Sequence, residues 1–218
     1  VRQRGALANS VRALGGGGFD GSNRSDRIDA VTIASQGNST DFGNMIATIL
    51  GSPAGISDQV RGIFGGGEVP SNTDVIQYVT ISQEGNMIDF GDLTTSKNTM
   101  SGGSSSTRGI FAGGNPGSKT NTIEFITIST TGNAQDFGDL TTARRNIHGF
   151  ASPTRGVMSA GGEFPHSNHQ TTDFVTVASK GNATLIGDII GQISGVRCFS
   201  SSVVGFFAGG YNPGASVS

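Results

Sequence analysis

Several residue types that shape protein structure are scarce in this chain. The 218-residue sequence has no tryptophan, two tyrosines and a single cysteine, Cys198, which excludes an intrachain disulfide. No apolar run approaches the ~20 residues that a membrane-spanning helix requires. Charges are few and balanced, with 14 Lys and Arg against 16 Asp and Glu, so the chain lacks the basic surplus that binds nucleic acid. We therefore expect neither nucleic acid nor a membrane as a partner.

Glycine, by contrast, is abundant, with 36 copies that recur at fixed places in a long repeat. Four anchors follow one another: Arg-Gly with two apolar residues before a glycine pair, apolar-Thr-apolar, Gly-Asn, and Asp-Phe-Gly. The threonine of the second anchor returns after 48, 47 and 49 residues, at Thr32, Thr80, Thr127 and Thr176. Such regular spacing identifies a repeat protein. We predict a single domain over residues 1–218, with repeats at about 4–51, 52–98, 99–145 and 146–193 and a partial repeat at 194–218.

Each repeat contains four short candidate strands and no helical stripe of apolar residues. In the third repeat they span about 100–105, 109–112, 122–129 and 134–140, bounded by Gly, Asn, Pro or Ser. The third strand is apolar on both faces, as expected for a sheet packed between two others. Four strands in ~40–50 residues match one β-propeller blade. We predict an all-β propeller of about five four-stranded blades, four complete and a fifth partial.

The two ends of the sequence do not supply a complete fifth blade. Residues 194–210 contain only its first two strands, and residues 1–4 are too few to add the other two. Closure of a propeller removes exposed edge strands. We therefore expect that the polypeptide is longer or that a partner completes the ring.

The repeat resembles the kelch repeat. Its clearest copy is Phe137-Gly138-Asp139-Leu140-Thr141-Thr142-Ala143-Arg144, where an aromatic residue precedes Leu-Thr-Thr-Ala-Arg. The sequence departs from kelch at the usual tryptophan, which is replaced by Phe42, Phe90, Phe137 and Ile186. The resemblance implies a kelch-like β-propeller.

A second resemblance concerns the wording-level similarity of the repeat sequences, that is, the short residue runs that recur over residues ~4–210. Near-identical copies and runs such as Ile-Thr-Ile-Ser-Thr-Thr-Gly-Asn at 126–133 are similar to Gly- and Thr-rich structural proteins of tailed bacteriophages, especially those that infect cyanobacteria. This resemblance implies a tail, fibre or capsid-surface protein.

Two sets of repeated charged residues have both a binding and an architectural interpretation. Arg61, Arg108 and Arg155 could form a ring that binds carboxylates or phosphates, or could each anchor a turn or pair with the Asp of Asp-Phe-Gly. Those aspartates could instead cap a tight turn beside a buried Phe. Because a residue that recurs in every blade is usually architectural, we favour the second interpretation.

Features that do not repeat are better candidates for a ligand or partner site. They lie in equivalent loops after the glycine pairs: Asn115, His166, Asn168, His169, Tyr211 and Asn212. His166 and His169 are three residues apart but lack a third metal ligand, so an exposed loop is favoured over a metal site. Polar loops that hold Asn and an aromatic residue can bind sugars by hydrogen bonds and stacking.

Enzymatic interpretations find little support in the residues. The sequence has no Gly-x-Ser-x-Gly elbow, no Trp-containing Asp boxes of sialidases, and no ligand set for a copper-radical oxidase. Its Gly-rich segments never open a helix, which argues against a phosphate-binding loop. We predict no catalytic residue, metal or cofactor.

Three functions are compatible with these observations. The leading hypothesis is a non-enzymatic structural or adhesive virion module, working on a particle or outside a cell, whose partners are other virion proteins, further copies of itself, or host-surface polysaccharide. The alternative is a kelch-type intracellular scaffold that grips a peptide across one face. A carbohydrate-active enzyme ranks third.

Overall fold

The computed structural model describes residues 4–18, 23–47, 53–163, 167–193, 195–212 and 215–216. Regular structure in these residues consists of antiparallel β-strands. No helix in these ranges is long and apolar enough to cross a membrane. The prediction of an all-β chain is confirmed.

Four four-stranded sheets account for most of the strands, and each has its strands in chain order. The first contains β1 (Gly5–Ala8), β2 (Arg12–Gly16), β3 (Arg27–Thr32) and β4 (Thr40–Asn44). The second contains β5 (Ala54–Ser57), β6 (Arg61–Gly65), β9 (Val75–Thr80) and β10 (Ile88–Asp92). The third contains β11 (Ser101–Ser104), β12 (Arg108–Ala112), β13 (Thr120–Thr127) and β14 (Gln135–Arg144). The fourth contains β15 (His148–Ala151), β16 (Arg155–Ser159), β19 (Thr171–Thr176) and β20 (Thr184–Asp188).

The remaining strands form four two-stranded sheets. They pair β7 (Glu68–Val69) with β8 (Ser71–Asn72), β17 (Gly162–Glu163) with β18 (Ser167–Asn168), β21 (Arg197–Ser200) with β22 (Gly205–Ala208), and β23 (Tyr211–Asn212) with β24 (Ala215–Ser216). The pair β21–β22 is called the terminal hairpin below.

The sheets are arranged as the blades of a four-bladed propeller. The innermost strand of each blade packs beside that of the next, β1 on β5, β5 on β11, and β11 on β15. The predicted partial fifth blade is not supported as a blade, because β21 and β22 form a separate two-stranded sheet in the described residues. The terminal hairpin packs with β21 beside β15.

Tight turns between the first two strands of a blade use a polar side chain as a cap. The Oδ1 of Asn9 accepts hydrogen bonds from the backbone N of Val11 and Arg12, both at 2.8 Å. Asp58 and Ser105 cap the equivalent turns of the second and third blades. Asn, Asp and Ser favour such turns because their short side chains reach the backbone two or three residues on.

Both flat sides of the inner blades are buried. Three hydrophobic clusters lie between successive blades, and each combines residues of two of them. In the third strand of the second blade, β9, Val79 packs toward the first blade, whereas Ile76 packs toward the third. The third strand therefore carries apolar residues on both faces, as predicted, because each face meets a different neighbour.

The glycine of Arg-Gly is required by packing between blades. A Cβ at Gly109 would lie 2.0 Å from Cδ1 of Ile56, which belongs to the preceding blade. A Cβ at Gly62 would meet Cδ1 of Leu7 at 2.6 Å in the same way. The missing side chain thus makes room for an apolar residue of the neighbouring blade.

Hydrogen bonds between the outer edges of successive blades form a second repeated contact, which we call the edge clamp. The N of Gly85 donates to the O of Phe42, and the N of Met87 donates to the O of Asn44, both at 2.8 Å. The N of Asn44 donates to Oδ1 of Asn86 at 2.9 Å. The same three bonds join the second blade to the third and the third to the fourth. The predicted Gly-Asn turn therefore also holds the preceding blade's Asp-Phe-Gly.

Two buried ion pairs cross blade interfaces. Nζ of Lys97 lies 2.6 Å from Oε2 of Glu124, with side chains 1% and 0% exposed. Nη2 of Arg144 lies 2.5 Å from Oδ2 of Asp173, with both side chains fully buried. In each pair the cation follows the fourth strand of one blade, or ends it, and the carboxylate comes from the third strand of the next.

Candidate functional site

The propeller has two distinct faces around its central channel. The connections from second to third strand, and from each blade to the next, lie on one side, which we call the loop face. The turns between the first and second strands, and the Gly-Asn turns, lie on the opposite side, called the turn face. The predicted site candidates that the structure describes all follow a second strand, so they share the loop face.

The channel mouth on the loop face is a concave site with several polar side chains. It is a cavity of about 190 Å³ whose polar lining includes Arg4, Thr99, Asn146, His148 and Arg197. These residues precede or begin innermost strands, and the propeller brings them together from distant parts of the sequence. The guanidinium of Arg4 is paired with Asp29 at 2.8 Å and donates to the O of Gly17 at 2.9 Å. The mouth also offers the guanidinium of Arg197 beside amide, hydroxyl and imidazole groups, a set suited to hydrogen-bonding carboxylates or sugar hydroxyls.

His148 and Arg197 are adjacent in this mouth. Nη1 of Arg197 lies 3.5 Å from Nε2 of His148. Burial, and secondarily the charge of Arg197, lowers the pKa of His148 to about 4. His148 is therefore neutral at physiological pH, and its Nε2 can accept a hydrogen bond from the guanidinium.

Cys198 also lines the channel but is poorly suited to nucleophilic chemistry. Burial raises the pKa of its thiol to about 12, against a smaller opposite effect of Arg197. The reactive thiolate is scarce at neutral pH under these conditions. The cysteine therefore acts as a small apolar residue of the innermost strand.

The opposite mouth of the channel, on the turn face, is lined by hydroxyl groups. It is a cavity of about 340 Å³, and its lining includes serines from the second, third and fourth blades and from the terminal hairpin and its turn: Ser57, Ser104, Ser105, Ser106, Ser152, Ser200, Ser201 and Ser202. Several are already engaged: Ser104 Oγ donates to the O of Ser57 at 2.7 Å, and Ser105 caps its own turn. This mouth is therefore built largely of turn-forming residues.

Asn115 is used structurally in the loop face. Its side-chain Oδ1 accepts from the N of Gly117 at 3.3 Å. Its backbone N donates to the O of Asn98 at 2.9 Å, and its backbone O accepts from Nδ2 of Asn72 at 2.6 Å. The loops of the second and third blades are thus tied together at this residue.

The other predicted site residues fall in loops of the fourth blade and the last segment. His169 is half-buried, and its backbone N donates to the O of Gly161 at 2.8 Å. Burial, with the charges of Arg144 and Lys119, lowers the pKa of His169. Asn168 lies in β18, and Tyr211 and Asn212 form β23. His166 lies outside the described residues.

Arg61 and Arg108 of the repeated arginines each anchor a turn, which agrees with the architectural interpretation, but the turn belongs to the following blade. Nη1 of Arg61 donates to the backbone O of Ile128 at 2.8 Å, and Nη1 of Arg108 donates to that of Val177 at 2.9 Å. Each acceptor directly follows the third strand of the following blade. The guanidinium of Arg61 also lies over the ring of Tyr78, 4.7 Å from its centroid. These arginines therefore join blades, rather than pairing with Asp-Phe-Gly aspartates or forming an anion ring.

The aspartate of Asp-Phe-Gly caps its own turn in the first blade. Oδ1 of Asp41 accepts a hydrogen bond from the N of Gly43 at 3.2 Å. Phe42 is buried, with 2% of its surface exposed. This arrangement agrees with the predicted role of a turn cap beside a buried Phe.

The described residues contain no cluster of three or more His, Cys, Asp or Glu side chains that could hold a metal ion. Sequence reasoning missed the channel mouth, although a signal was present. His148 and Arg197 occupy the position that is Gly5, Ala54 and Ser101 in the other repeats. A bulky polar residue at a position otherwise kept small could have marked the mouth.

The fold and its inter-blade contacts define this chain as a four-bladed β-propeller built from tandem repeats. No protein-family model matches the chain, and no curated protein matches it. The kelch and bacteriophage resemblances therefore remain resemblances.

Proposed function

We propose that this protein is a non-enzymatic structural or adhesive virion module that presents its loop face to other virion proteins or to host-surface glycans. One observation carries the proposal. The contacts that hold the blades together repeat almost unchanged, whereas the loops after β6, β12 and β16 differ in sequence. Such separation of scaffold and loops lets a rigid fold carry variable recognition surfaces.

The chemistry of the loop face supports contact with polar ligands. Asn, Ser, Thr, His and Pro dominate its loops, and the central mouth adds the side chains of Asn146, His148 and Arg197. Hydrogen-bond donors and acceptors of this kind suit sugar hydroxyls and uronic carboxylates. The virion location itself is supported by low charge, abundant Ser and Thr, and the phrasing of the repeats.

A glycan array of host polysaccharides tests the adhesive role. The intact protein should bind a subset of glycans, and Arg197→Ala or Asn146→Ala, both in the loop-face mouth, should weaken binding at least about tenfold, equal to 1.4 kcal/mol. Gln59→Ala, on the turn face, is the matched control and should leave binding unchanged. A blank array would reject the adhesive role but not the structural one. Absence of the protein from purified particles, measured by mass spectrometry, would reject the virion location.

The alternative is a kelch-type intracellular scaffold that grips a peptide at the loop face. The guanidinium of Arg197 in the mouth favours it, since guanidinium groups bind carboxylates through charge-assisted hydrogen bonds. Selection of acidic peptides from a displayed library, with loss of binding in Arg197→Ala, would favour this function over glycan binding.

We also propose that the terminal hairpin is the inner half of a fifth blade. β21 packs beside β15 as β15 packs beside β11. Phe150 lies where a Cβ of Gly205 would be, at 2.0 Å from its Cζ, as Ile56 does for Gly109. These two contacts repeat the relation between complete blades.

A further inference from the structure

The ring is interrupted beside the terminal hairpin. β1, β5, β11, β15 and β21 line one central channel, and β21 lies between β15 and β1 around it. In the complete blades the second strand pairs on its outer edge with a third strand, but in the described residues β22 pairs only with β21. We call the space outside β22, between the fourth blade and the first, the outer slot.

The fourth blade presents an unused edge clamp to the outer slot. Ile186 occupies the position of Phe42, Phe90 and Phe137, yet it is 54% exposed, whereas each Phe is 2% exposed. The backbone O atoms of Phe42, Phe90 and Phe137 each accept a hydrogen bond from a following Gly-Asn turn. Among the described residues no such turn reaches the O of Ile186.

Gly187 and Arg155 also have the geometry of residues that contact a following blade. A Cβ at Gly43 or Gly91 would collide with the next Gly-Asn turn, whereas one at Gly187 would meet nothing within 4 Å. The guanidinium of Arg155 lies over the ring of Phe174 at 4.7 Å, as that of Arg61 lies over Tyr78. The side chain of Arg155 is thus oriented like those of its equivalents. In the part of the chain described, however, no carbonyl at the end of a following third strand accepts a hydrogen bond from it.

The first blade presents the opposite half of an interface. Val31 and Ile33 are 41% and 54% exposed, whereas the equivalent Val79 and Ile81 are 5% and 0% exposed because the first blade covers them. The turn at Gly37 has the same sequence, Gly-Asn, as the turns that donate in the edge clamp. The outer slot is therefore bounded on both sides by surfaces that the other blades bury against each other.

We propose that the outer slot binds a two-stranded β-hairpin of the repeat's own outer-strand type, with apolar-Thr-apolar, Gly-Asn and Asp-Phe-Gly in that order. Its first strand carries apolar-Thr-apolar, pairs with β22 and offers its terminal carbonyl to Arg155. Its Gly-Asn turn completes the edge clamp on Ile186, and the Phe of its Asp-Phe-Gly covers Val31 and Ile33. The inference extends the fifth-blade proposal and is independent of any glycan-binding or virion role.

The chemistry of the slot selects this occupant over others. A free strand edge favours addition of an extended strand, because backbone hydrogen bonds supply affinity. A whole blade of a second copy does not fit, because it would bring its own first and second strands, and the terminal hairpin already occupies their place. Three established blade interfaces are continuous with the slot and define what covers each of its surfaces.

A synthetic peptide of residues 119–140, which spans the third strand and Asp-Phe-Gly of the third blade, is the probe. Calorimetric titration into the intact 218-residue protein should show one site, and hydrogen exchange should show new protection of β22. The control peptide with Phe137→Ser should bind at least about tenfold more weakly. Ile33→Asp in the protein should weaken binding similarly, whereas Val60→Asp, exposed on the turn face, should not.

Three results would overturn the proposal. They are no heat or exchange protection up to about 1 mM peptide, equal binding of the two peptides, or equal effects of Ile33→Asp and Val60→Asp. Concentration-dependent dimerisation that Ile33→Asp abolishes would assign the slot to a second copy instead.

A fusion of residues 119–140 to the C-terminus through a flexible linker guards against a peptide too poorly folded to bind. A short linker raises the local concentration to the millimolar range. The fusion should raise the thermal midpoint relative to the same fusion with Phe137→Ser. Equal midpoints would also reject the proposal. Glycan binding by a protein that fails these tests would leave the adhesive role standing.

Discussion

Replacing Asp173 by asparagine should destabilise the protein by about 3 kcal/mol, because the change leaves the guanidinium of Arg144 buried without its counter-charge. Both side chains are fully buried, and the carboxylate also accepts from the N and Oγ1 of Thr141, at 3.2 and 2.6 Å. Removing one partner of a buried pair costs about 3–5 kcal/mol. We expect the lower end of this range because Nη1 of Arg144 still donates hydrogen bonds to the backbone O atoms of Ala160 and Thr171, at 3.1 and 2.6 Å.

The double variant Arg144→Met with Asp173→Asn should cost far less than the sum of the single changes. Replacing both members leaves no unpaired buried charge, which is the main cost of either single change. The coupling between the two sites should therefore reach about 2 kcal/mol, within the range of contacting residues. Arg27→Gln is the control, because Arg27 pairs with Asp29 at 2.8 Å but remains 60% exposed, and its loss should cost under about 1 kcal/mol.

Urea unfolding followed by far-ultraviolet circular dichroism measures the unchanged protein and four variants, with free energies taken by linear extrapolation. The variants are Asp173→Asn, Arg144→Met, the double variant and Arg27→Gln. The slope with urea should stay constant if only stability changes. A midpoint of Asp173→Asn no lower than that of Arg27→Gln would refute the claim that the pair is dehydrated. Additive single and double changes would refute the direct coupling.

Three further predictions concern pH, backbone conformation and blade packing. Burial, with the charge of Arg197, lowers the pKa of His148 from 6.5 to about 4. As the pH falls, the unfolded chain therefore binds a proton at this residue before the folded protein does. The free energy of unfolding should be highest above about pH 6.5 and fall by up to about 3 kcal/mol toward pH 4. His148→Ser should remove that part of the pH dependence in denaturant titrations, and an unchanged profile would contradict the assignment. Thr99 has a positive φ of 56°, so Thr99→Gly should raise stability by about 1 kcal/mol in thermal unfolding, and a lower midpoint would argue against backbone strain. Phe90→Ala should cost about 3–5 kcal/mol, whereas Ile186→Ala at the equivalent exposed position should cost about 0.5 kcal/mol or less; equal costs would show that the two positions are packed alike.

Much of the blade could be predicted from residue pattern because its determinants are local. In the third blade the predicted strands agree with β11 to β14 to within a few residues at most ends. Gly-Asn pairs and capped turns follow from the preferences of short polar side chains and glycine. Apolar residues on both faces of the third strand indicated a sheet buried between two neighbours, and the clusters between blades confirm it.

Contacts between blades could not be read from the sequence in the same way. A repeat tells which residues are equivalent, but not which blade each side chain reaches. The acceptor of Arg61 lies 67 residues away, at the backbone O of Ile128, and a carbonyl has no signature in residue identity. The edge clamp was hidden for the same reason, since two of its three acceptors are backbone oxygens.

Periodic spacing along the chain was sufficient to establish repeated four-stranded sheets, because strand formation, turns and alternation of burial depend on residues near one another. The channel mouth at His148 and Arg197, the burial of the Arg144–Asp173 pair and the open surface at Ile33 arise only when blades stack around an axis. Stacking places residues nearly 50 positions apart side by side, and it decides which of several equivalent side chains is covered. Identical motifs are therefore buried in the middle of the propeller and exposed at its two terminal surfaces.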